Sequence, residues 1–109
     1  MGAEVEILIQ IQAAARQKLL FLPHALRQML RPDRMIRGAE VRRVIREGEV
    51  IEDYPKDTRG HSCLLLGFGD QERPIHVVCA PREDYLAIIT AYLPDPHEWS
   101  ADFRKRVKK

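Results

Sequence analysis

The most regular hydrophobic pattern lies in the second half of the chain, where three apolar runs follow one another with only turn residues between them. The runs cover residues 61–68, 74–80 and 85–92. Apolar runs of this length, bounded by glycine, proline and acidic residues, are typical of central strands that are buried on both faces. The pattern therefore predicts three neighbouring strands of one meandering sheet.

A few polar side chains interrupt these runs, namely His61, His76, Thr90 and Tyr92. Buried strands rarely carry polar side chains, so the sheet itself indicates where a functional site would lie. Because side chains alternate along a strand, Thr90 and Tyr92 are expected on one face, together with Leu86 and Ile88.

Helical patterns fill most of the first half. In chain order they predict a helix over 4–16, an extended segment over 18–22, and helices over 23–30 and 38–47. Pro23 favours a helix start, because the residue before proline is extended and proline suits the first helical turn. The apolar face of this helix is expected to be Leu26, Met29 and Leu30. Gly48 is predicted to end the next helix in a left-handed conformation.

Two further elements complete the predicted fold. Residues 50–54 alternate like an exposed edge strand that Pro55 closes. Residues 97–108 are predicted to form a last helix, anchored by Trp99 and Phe103 four positions apart. The expected fold class is α+β, with N-terminal helices packed on a four-stranded, mainly antiparallel sheet and with a C-terminal helix.

Length and composition favour one globular domain. The 109 residues are 45% hydrophobic and 31% charged, values typical of an ordinary folded protein. We expect a single domain over 1–109, with an N-terminal helix over 1–17, a core over 18–99 and a basic tail over 100–109. No run approaches the roughly 20 apolar residues of a membrane span, and the acidic start is unlike a signal peptide. A cytoplasmic protein without a membrane partner is therefore expected.

Charge is distributed unevenly along the chain. Residues 22–46 contain seven arginines against two acidic residues, whereas residues 47–57 contain five acidic residues against one lysine. The tail is again basic. Two basic segments around an acidic one suit an anionic polymer such as RNA, and a solvated helix surface with a frayed tail explains the same pattern.

Possible metal ligands also occur in the apolar runs, as His61, Cys63, His76 and Cys79. In a regular sheet His76 and Cys79 point to opposite faces, so all four cannot reach one ion. A symmetric hairpin around residues 69–73 would instead place Cys63 opposite Cys79 as reduced core thiols. It would also place His76 near Leu66. We therefore expect neither a metal nor another cofactor.

Several motifs in order resemble the bacterial domain of unknown function 4258 family. They are PHALRQM at 23–29, EV at 40–41, GEVIEDYP at 48–55, GHSCL at 60–64, RPIHVV at 73–78 and ITAY at 89–92. The resemblance covers roughly residues 20–99. One departure is visible before the helix at 38–47, where Arg37 stands in place of the serine or threonine that caps this helix against a glutamate in the family, so the capping box is expected to be lost.

This resemblance implies a fold and a class of activity. The family is similar to small ribonuclease toxins with a RelE-like or barnase-like fold, in which helices precede a four-stranded antiparallel sheet. Its members resemble the toxin half of a toxin–antitoxin pair, beside an antitoxin with a zinc-ribbon and a helix-turn-helix. RNA and such an antitoxin are the implied partners.

The first hypothesis is therefore a metal-independent endoribonuclease. RNA cleavage needs a base, an acid and cations that stabilise the charged phosphorane. His24 and His76 are the candidate acid and base, with Tyr92 and Thr90 as orienting groups. Arginine binds phosphate bidentately, and the candidate phosphate contacts are Arg27, Arg31 and Arg34.

Two other hypotheses remain open. In the first, the arginine-rich helices bind nucleic acid or an acidic partner without catalysis, and the sheet is a scaffold. In the second, the edge strand at 50–54 pairs with a partner strand or with a second copy of the chain to form a homodimer.

Overall fold

Helices dominate the first half of the computed structural model, which describes residues 3–107, and strands dominate the second half. The elements in chain order are α1 (Ala3–Gln17), β1 (Leu19–Phe21), α2 (Pro23–Met29), α3 (Gly38–Glu47), β2 (Glu49–Tyr54), β3 (Ser62–Phe68), a short 3-10 turn (Asp70–Glu72), β4 (Pro74–Pro81) and β5 (Leu86–Tyr92). The chain is therefore α+β, as predicted.

The sheet has five strands in the order β1-β5-β4-β3-β2. Strands β2 to β5 each pair antiparallel with the next strand in the chain, which confirms the predicted meander. The predicted number of four strands was wrong, because β1 pairs in parallel with β5 and adds an edge strand. Three residues are too few to show an alternating pattern in the sequence. β1 is a strand because β5 lies beside it and pairs with it.

All three helices cover the same face of the sheet. Ile11 of α1 and Val44 of α3 share one core with Leu65 of β3 and Val77 of β4. Burying each such side chain stabilises the fold by about 1.5–3 kcal/mol. Within the described chain, no helix has both the length and the apolarity needed to cross a membrane.

The buried face of α2 differs from the predicted one. Leu26 and Leu30 are 43% and 63% exposed, and the buried residues are Ala25 and Met29. These two positions lie four residues apart, so they form a narrow stripe along a helix of only two turns. The small Ala25 side chain lets α2 approach the sheet closely, and the larger leucines are left outside the contact.

Gly48 ends α3 for a different reason from the predicted one. Its φ of −77° and ψ of 175° are extended, not left-handed. A Cβ atom at this position would lie 2.5 Å from the Val44 carbonyl oxygen and 2.7 Å from that of Leu66. Glycine is therefore required by the close approach of α3 to β3, where no side chain fits.

The predicted C-terminal helix is wrong within the described residues. Residues 97–107, here called the C-terminal segment, form turns closed by an isolated bridge between Trp99 and Arg106. Side chains of this region bind nearby backbone N–H groups: Ser100 Oγ accepts from Lys105 at 3.1 Å, and Asp102 Oδ1 accepts from Arg104 at 3.1 Å. Such local bonds compete with helical ones. Lys108, the last residue of the predicted helix, lies outside the described residues.

A buried carboxylate joins α3 to the β3–β4 connection. Glu40 is 2% exposed and accepts hydrogen bonds from the Arg37 backbone N–H at 3.0 Å and the Asp70 backbone N–H at 2.8 Å. Arg73 adds bonds from Nε at 3.0 Å and Nη2 at 2.8 Å. The helix therefore begins at Gly38 as predicted, and the expected loss of the capping box was wrong for its glutamate half, because Glu40 accepts from the Arg37 backbone N–H. The other half of the box is a hydrogen bond from the Glu40 backbone N–H to the side chain at position 37. Arginine has no acceptor atom and cannot form it.

These contacts fix the charge of Glu40. Burial opposes its ionisation, but the hydrogen bonds from Arg73 and from the backbone of Arg37 and Asp70 outweigh burial and lower its pKa from 4.5 to about 2. The carboxylate is therefore charged and fully partnered at neutral pH.

We predict that Glu40→Ala lowers the free energy of unfolding by about 3–5 kcal/mol, because it leaves Arg73 without its buried partner. Urea denaturation measures this loss. The matched control is Glu47→Ala on the same helix, whose exposed pair with Arg43 is worth about 0.5 kcal/mol or less. Since folding lowers the pKa of Glu40, its stabilisation is complete above pH 4.5 and is lost as the pH falls towards about 2. Equal losses in the two variants would contradict this role.

Candidate functional site

The candidate site lies on the sheet face that the helices leave uncovered. His76 of β4 is paired in register with Tyr92 of β5. Their ring centroids are 5.3 Å apart with the planes at 72°, and His76 Nδ1 lies 3.2 Å from the Tyr92 hydroxyl oxygen. The predicted neighbours across the β3–β4 hairpin, Leu66 opposite His76 and Cys63 opposite Cys79, are confirmed.

A β-bulge decides which side chains of β5 join this face. The register shifts between Val78 and Cys79, so Thr90 pairs with Val78 whereas Ile88 pairs with Cys79. Ile88 therefore faces the helical core, and Thr90 lies on the same face as His76 and Tyr92. The prediction that Leu86 and Ile88 share a face with Thr90 and Tyr92 was wrong, because the bulge reverses the alternation.

The C-terminal segment seals His76 from solvent. The exposed fraction of His76 is 0%, its Nε2 lies 2.9 Å from the Phe103 carbonyl oxygen, and the Trp99 ring stands on its edge at 4.4 Å between centroids. A carbonyl oxygen only accepts, so Nε2 carries the proton and Nδ1 accepts from the Tyr92 hydroxyl. Burial lowers the pKa of His76 and outweighs the opposing effect of the Phe103 carbonyl. The imidazole is therefore neutral.

An ion pair borders the same cluster. Arg106 donates two hydrogen bonds to Glu52, from Nε at 2.9 Å and from Nη2 at 3.0 Å, and its guanidinium carbon lies 4.7 Å from the centroid of the Trp99 ring. The Tyr54 hydroxyl also donates to Glu52. Burial and the Glu52 carboxylate raise the pKa of Tyr54 to about 12. These groups tie the C-terminal segment to the edge strand β2.

Sequence reasoning missed Glu52, Tyr54 and Arg106. The alternation of β2 was a signal for the first two, because residues two apart on a strand share one face. No such signal exists in the sequence for Arg106, because its position depends on the turns of residues 97–107, where a helix was predicted.

The positive charges of two arginines act on the Tyr92 hydroxyl. Burial raises the pKa of its hydroxyl, the charges of Arg106 and Arg34 act in the opposite direction, and Glu52 and Glu98 add to the rise. Arg34 is half-buried and donates from Nη1 to Gln28 Oε1 at 2.6 Å. Arg34 is therefore a predicted phosphate contact whose positive charge acts on the Tyr92 hydroxyl.

The structure does not bring the other predicted site residues to this face. His24 and Arg27 are exposed on α2, whose buried side chains belong to the core on the opposite face of the sheet. Arg31 follows α2 and pairs with Asp33 at 3.4 Å. The predicted site residues thus divide into His76, Thr90 and Tyr92 on the helix-free face of the sheet, and His24, Arg27, Arg31 and Arg34 on α2 or in the connection that follows it.

The two cysteines and His61 contact other side chains within the fold. Cys63 and Cys79 are free, buried thiols, and the hydrogen bond with Cys63 together with burial raises the pKa of Cys79. His61 Nε2 lies 2.5 Å from Asp53 Oδ1. Among residues 3–107, no three histidine, cysteine or acidic side chains are placed to hold a metal ion together.

Comparison with known proteins identifies a family. A family model with the description "Domain of unknown function (DUF4258)" matches residues 21–93. No curated protein and no solved structure matches this chain significantly. The matched region contains His76, Tyr92 and Glu52, and it excludes both α1 and the C-terminal segment that covers them.

We predict that burial of a neutral His76 makes the stability depend on pH. Its pKa in the folded chain lies below the ordinary value of 6.5, so the unfolded chain binds the proton first. The free energy of unfolding should therefore fall as the pH is lowered from about 7 to about 5, by at most about 1.4 kcal/mol per pH unit. His76→Gln, whose amide can still donate to the Phe103 carbonyl, should flatten this dependence in urea titrations. His24→Gln serves as the exposed control, and an unchanged slope in His76→Gln would refute the assignment.

Proposed function

We propose that this chain, which belongs to the domain of unknown function 4258 family, is a toxin-like, metal-independent endoribonuclease that works with the helix-free face of its sheet. The observation that supports this most is the Tyr92–His76 pair, on whose hydroxyl the positive charges of Arg106 and Arg34 act. A proton acceptor and two permanent cations are the groups that cleavage at a phosphodiester requires. The proposed pair of toxin and antitoxin rests on the family resemblance.

The proposed chemistry is attack of a ribose 2′-hydroxyl on the adjacent phosphorus. Tyr92 takes the 2′-hydroxyl proton as it passes its own proton to Nδ1 of the neutral His76. The bond from phosphorus to the 5′-oxygen breaks, solvent protonates that oxygen, and the products are a 2′,3′-cyclic phosphate and a 5′-hydroxyl end. Arg34 and Arg106 stabilise the charge on the phosphorane.

In this proposal His76 is a positioning residue that need not touch RNA. It stays beneath the C-terminal segment, orients the Tyr92 hydroxyl and receives its proton. Tyr92 is half-buried at the end of β5 and is the group that contacts the substrate. Glu52 holds Arg106 in place through the bidentate ion pair.

We expect Tyr92→Phe to reduce cleavage of a labelled single-stranded RNA by about 10²-fold or more, because the proton acceptor is lost. The full-length chain is assayed in the presence of EDTA, and the products are examined for the cyclic phosphate. Tyr85→Phe, outside the cluster at the other end of β5, is the matched control. A 2′-deoxy substitution at the cut site should abolish cleavage.

Two results would overturn the ribonuclease proposal. One is the absence of any cleavage of free or ribosome-bound RNA by the purified chain. The other is cleavage that persists in Tyr92→Phe and in Arg34→Gln. Growth arrest on expression that Tyr92→Phe relieves would support it in the cell.

A second candidate function is binding without catalysis. It is favoured by a specific observation, which is that both ring nitrogens of His76 are engaged and its ring is sealed. We expect such a module to bind RNA with an affinity that falls steeply with salt and to release no cleavage products. Binding that is unchanged in Tyr92→Phe, together with intact RNA, would favour this function over the nuclease.

A further inference from the structure

The arginines of this chain differ in whether their guanidinium groups donate to a carboxylate or carbonyl oxygen of the protein. The sequence contains thirteen arginines, and nine of them donate to a side chain or backbone oxygen in the structure. Within residues 3–107, Arg16, Arg27, Arg42 and Arg46 have no such partner. Their charge is available to a ligand.

Three of these four arginines meet at one groove. Arg16, Arg42 and Arg46 line an open groove of about 370 Å³ between α1, β1 and α3. Its apolar floor consists of Ala15, Leu19 and Ile45, and none of the acidic residues that the structure describes lines it. The groove lies on the helical side of the sheet, away from His76 and Tyr92. Its volume lies within the usual range of small-molecule sites, roughly 300–1,000 Å³.

The groove remains electropositive when the negative ends of the neighbouring helix dipoles are included. Arg16 and Arg46 lie in the last turns of α1 and α3, where each helix end carries about −0.5 charge. Three guanidinium groups against two such ends leave a net charge of about +2. This excess suits a phosphate group, whose oxygens match the forked donors of arginine.

We propose that this groove binds a nucleotide unit, either free or within an RNA strand. The phosphate contacts Arg42 and Arg46, which are one helical turn apart on α3, and Arg16 closes the groove from α1. The flat base packs on the apolar side chains of the groove and is thereby removed from water. The site is separate from the sheet face, so it does not depend on whether that face cleaves RNA.

The test is binding of a fluorescent, uncleavable 2′-O-methyl oligoribonucleotide to the full-length chain, measured by fluorescence anisotropy at several salt concentrations. Arg42→Gln/Arg46→Gln should weaken binding on the order of tenfold and lower the salt slope by ~0.7, the value for one lost phosphate contact on a single strand. Both residues are exposed, so the fold should persist.

The charge-matched control is Lys56→Gln/Lys105→Gln, which removes two exposed cations elsewhere. Adenosine monophosphate distinguishes the two sources of the ligand, because competition by it indicates a free nucleotide and its failure to compete indicates a strand. The proposal is overturned if the control loses as much affinity as the groove variant, or if the wild-type chain binds neither the oligonucleotide nor adenosine monophosphate. Polyglutamate that competes as well as the oligonucleotide would also overturn it, in favour of an acidic protein.

Discussion

The central strands of this sheet are apolar on both faces, and both faces must therefore be removed from water. Leu65 and Val77 point towards the helices, whereas Leu64 and Leu66 point away from them, and all four are buried. Three helices cover the first face. The second face is covered in part by the C-terminal segment, whose Trp99 packs against His76. The paths of both ends of the chain follow from this requirement.

Buried polar groups hold the two layers in place. Glu40 links α3 to the hairpin between β3 and β4 through Arg73, and His76 links β4 to the C-terminal segment through the Phe103 carbonyl. A buried polar atom without a partner costs about 1–3 kcal/mol, and among the described residues no buried side-chain nitrogen or oxygen lacks one. These bonds therefore give each layer one favoured position on an otherwise non-directional apolar surface.

The same pairing determines which charges are available for function. The arginine-rich stretch over 22–46 looks like one cationic surface in the sequence, yet several of its members are neutralised by Asp33, Asp70, Glu47 or Glu72. Arg42 and Arg46 remain without acidic partners and face the groove beside α1. On the other side of the sheet, the charges of Arg106 and Arg34 act on Tyr92, but Arg106 is paired with Glu52. A net charge of +2 thus conceals two places that differ in whether an acidic side chain of the described residues pairs with their arginines.

The sequence by itself determined the features that depend on near neighbours in the chain. Apolar runs predicted β3, β4 and β5, the alanine-rich end of the first segment predicted α1, and helical spacing predicted α3. The pairing of Cys63 with Cys79 followed from a symmetric hairpin. Only the tertiary structure decided what depends on distant contacts. The short β1 is a strand because β5 lies beside it, and the bulge in β5 selects Thr90 and Tyr92 for the face of His76. The C-terminal segment takes turns instead of a helix because local hydrogen bonds and the packing of Trp99 outweigh its helical pattern. His24 and His76 were grouped by residue type, and the sheet between them keeps them apart.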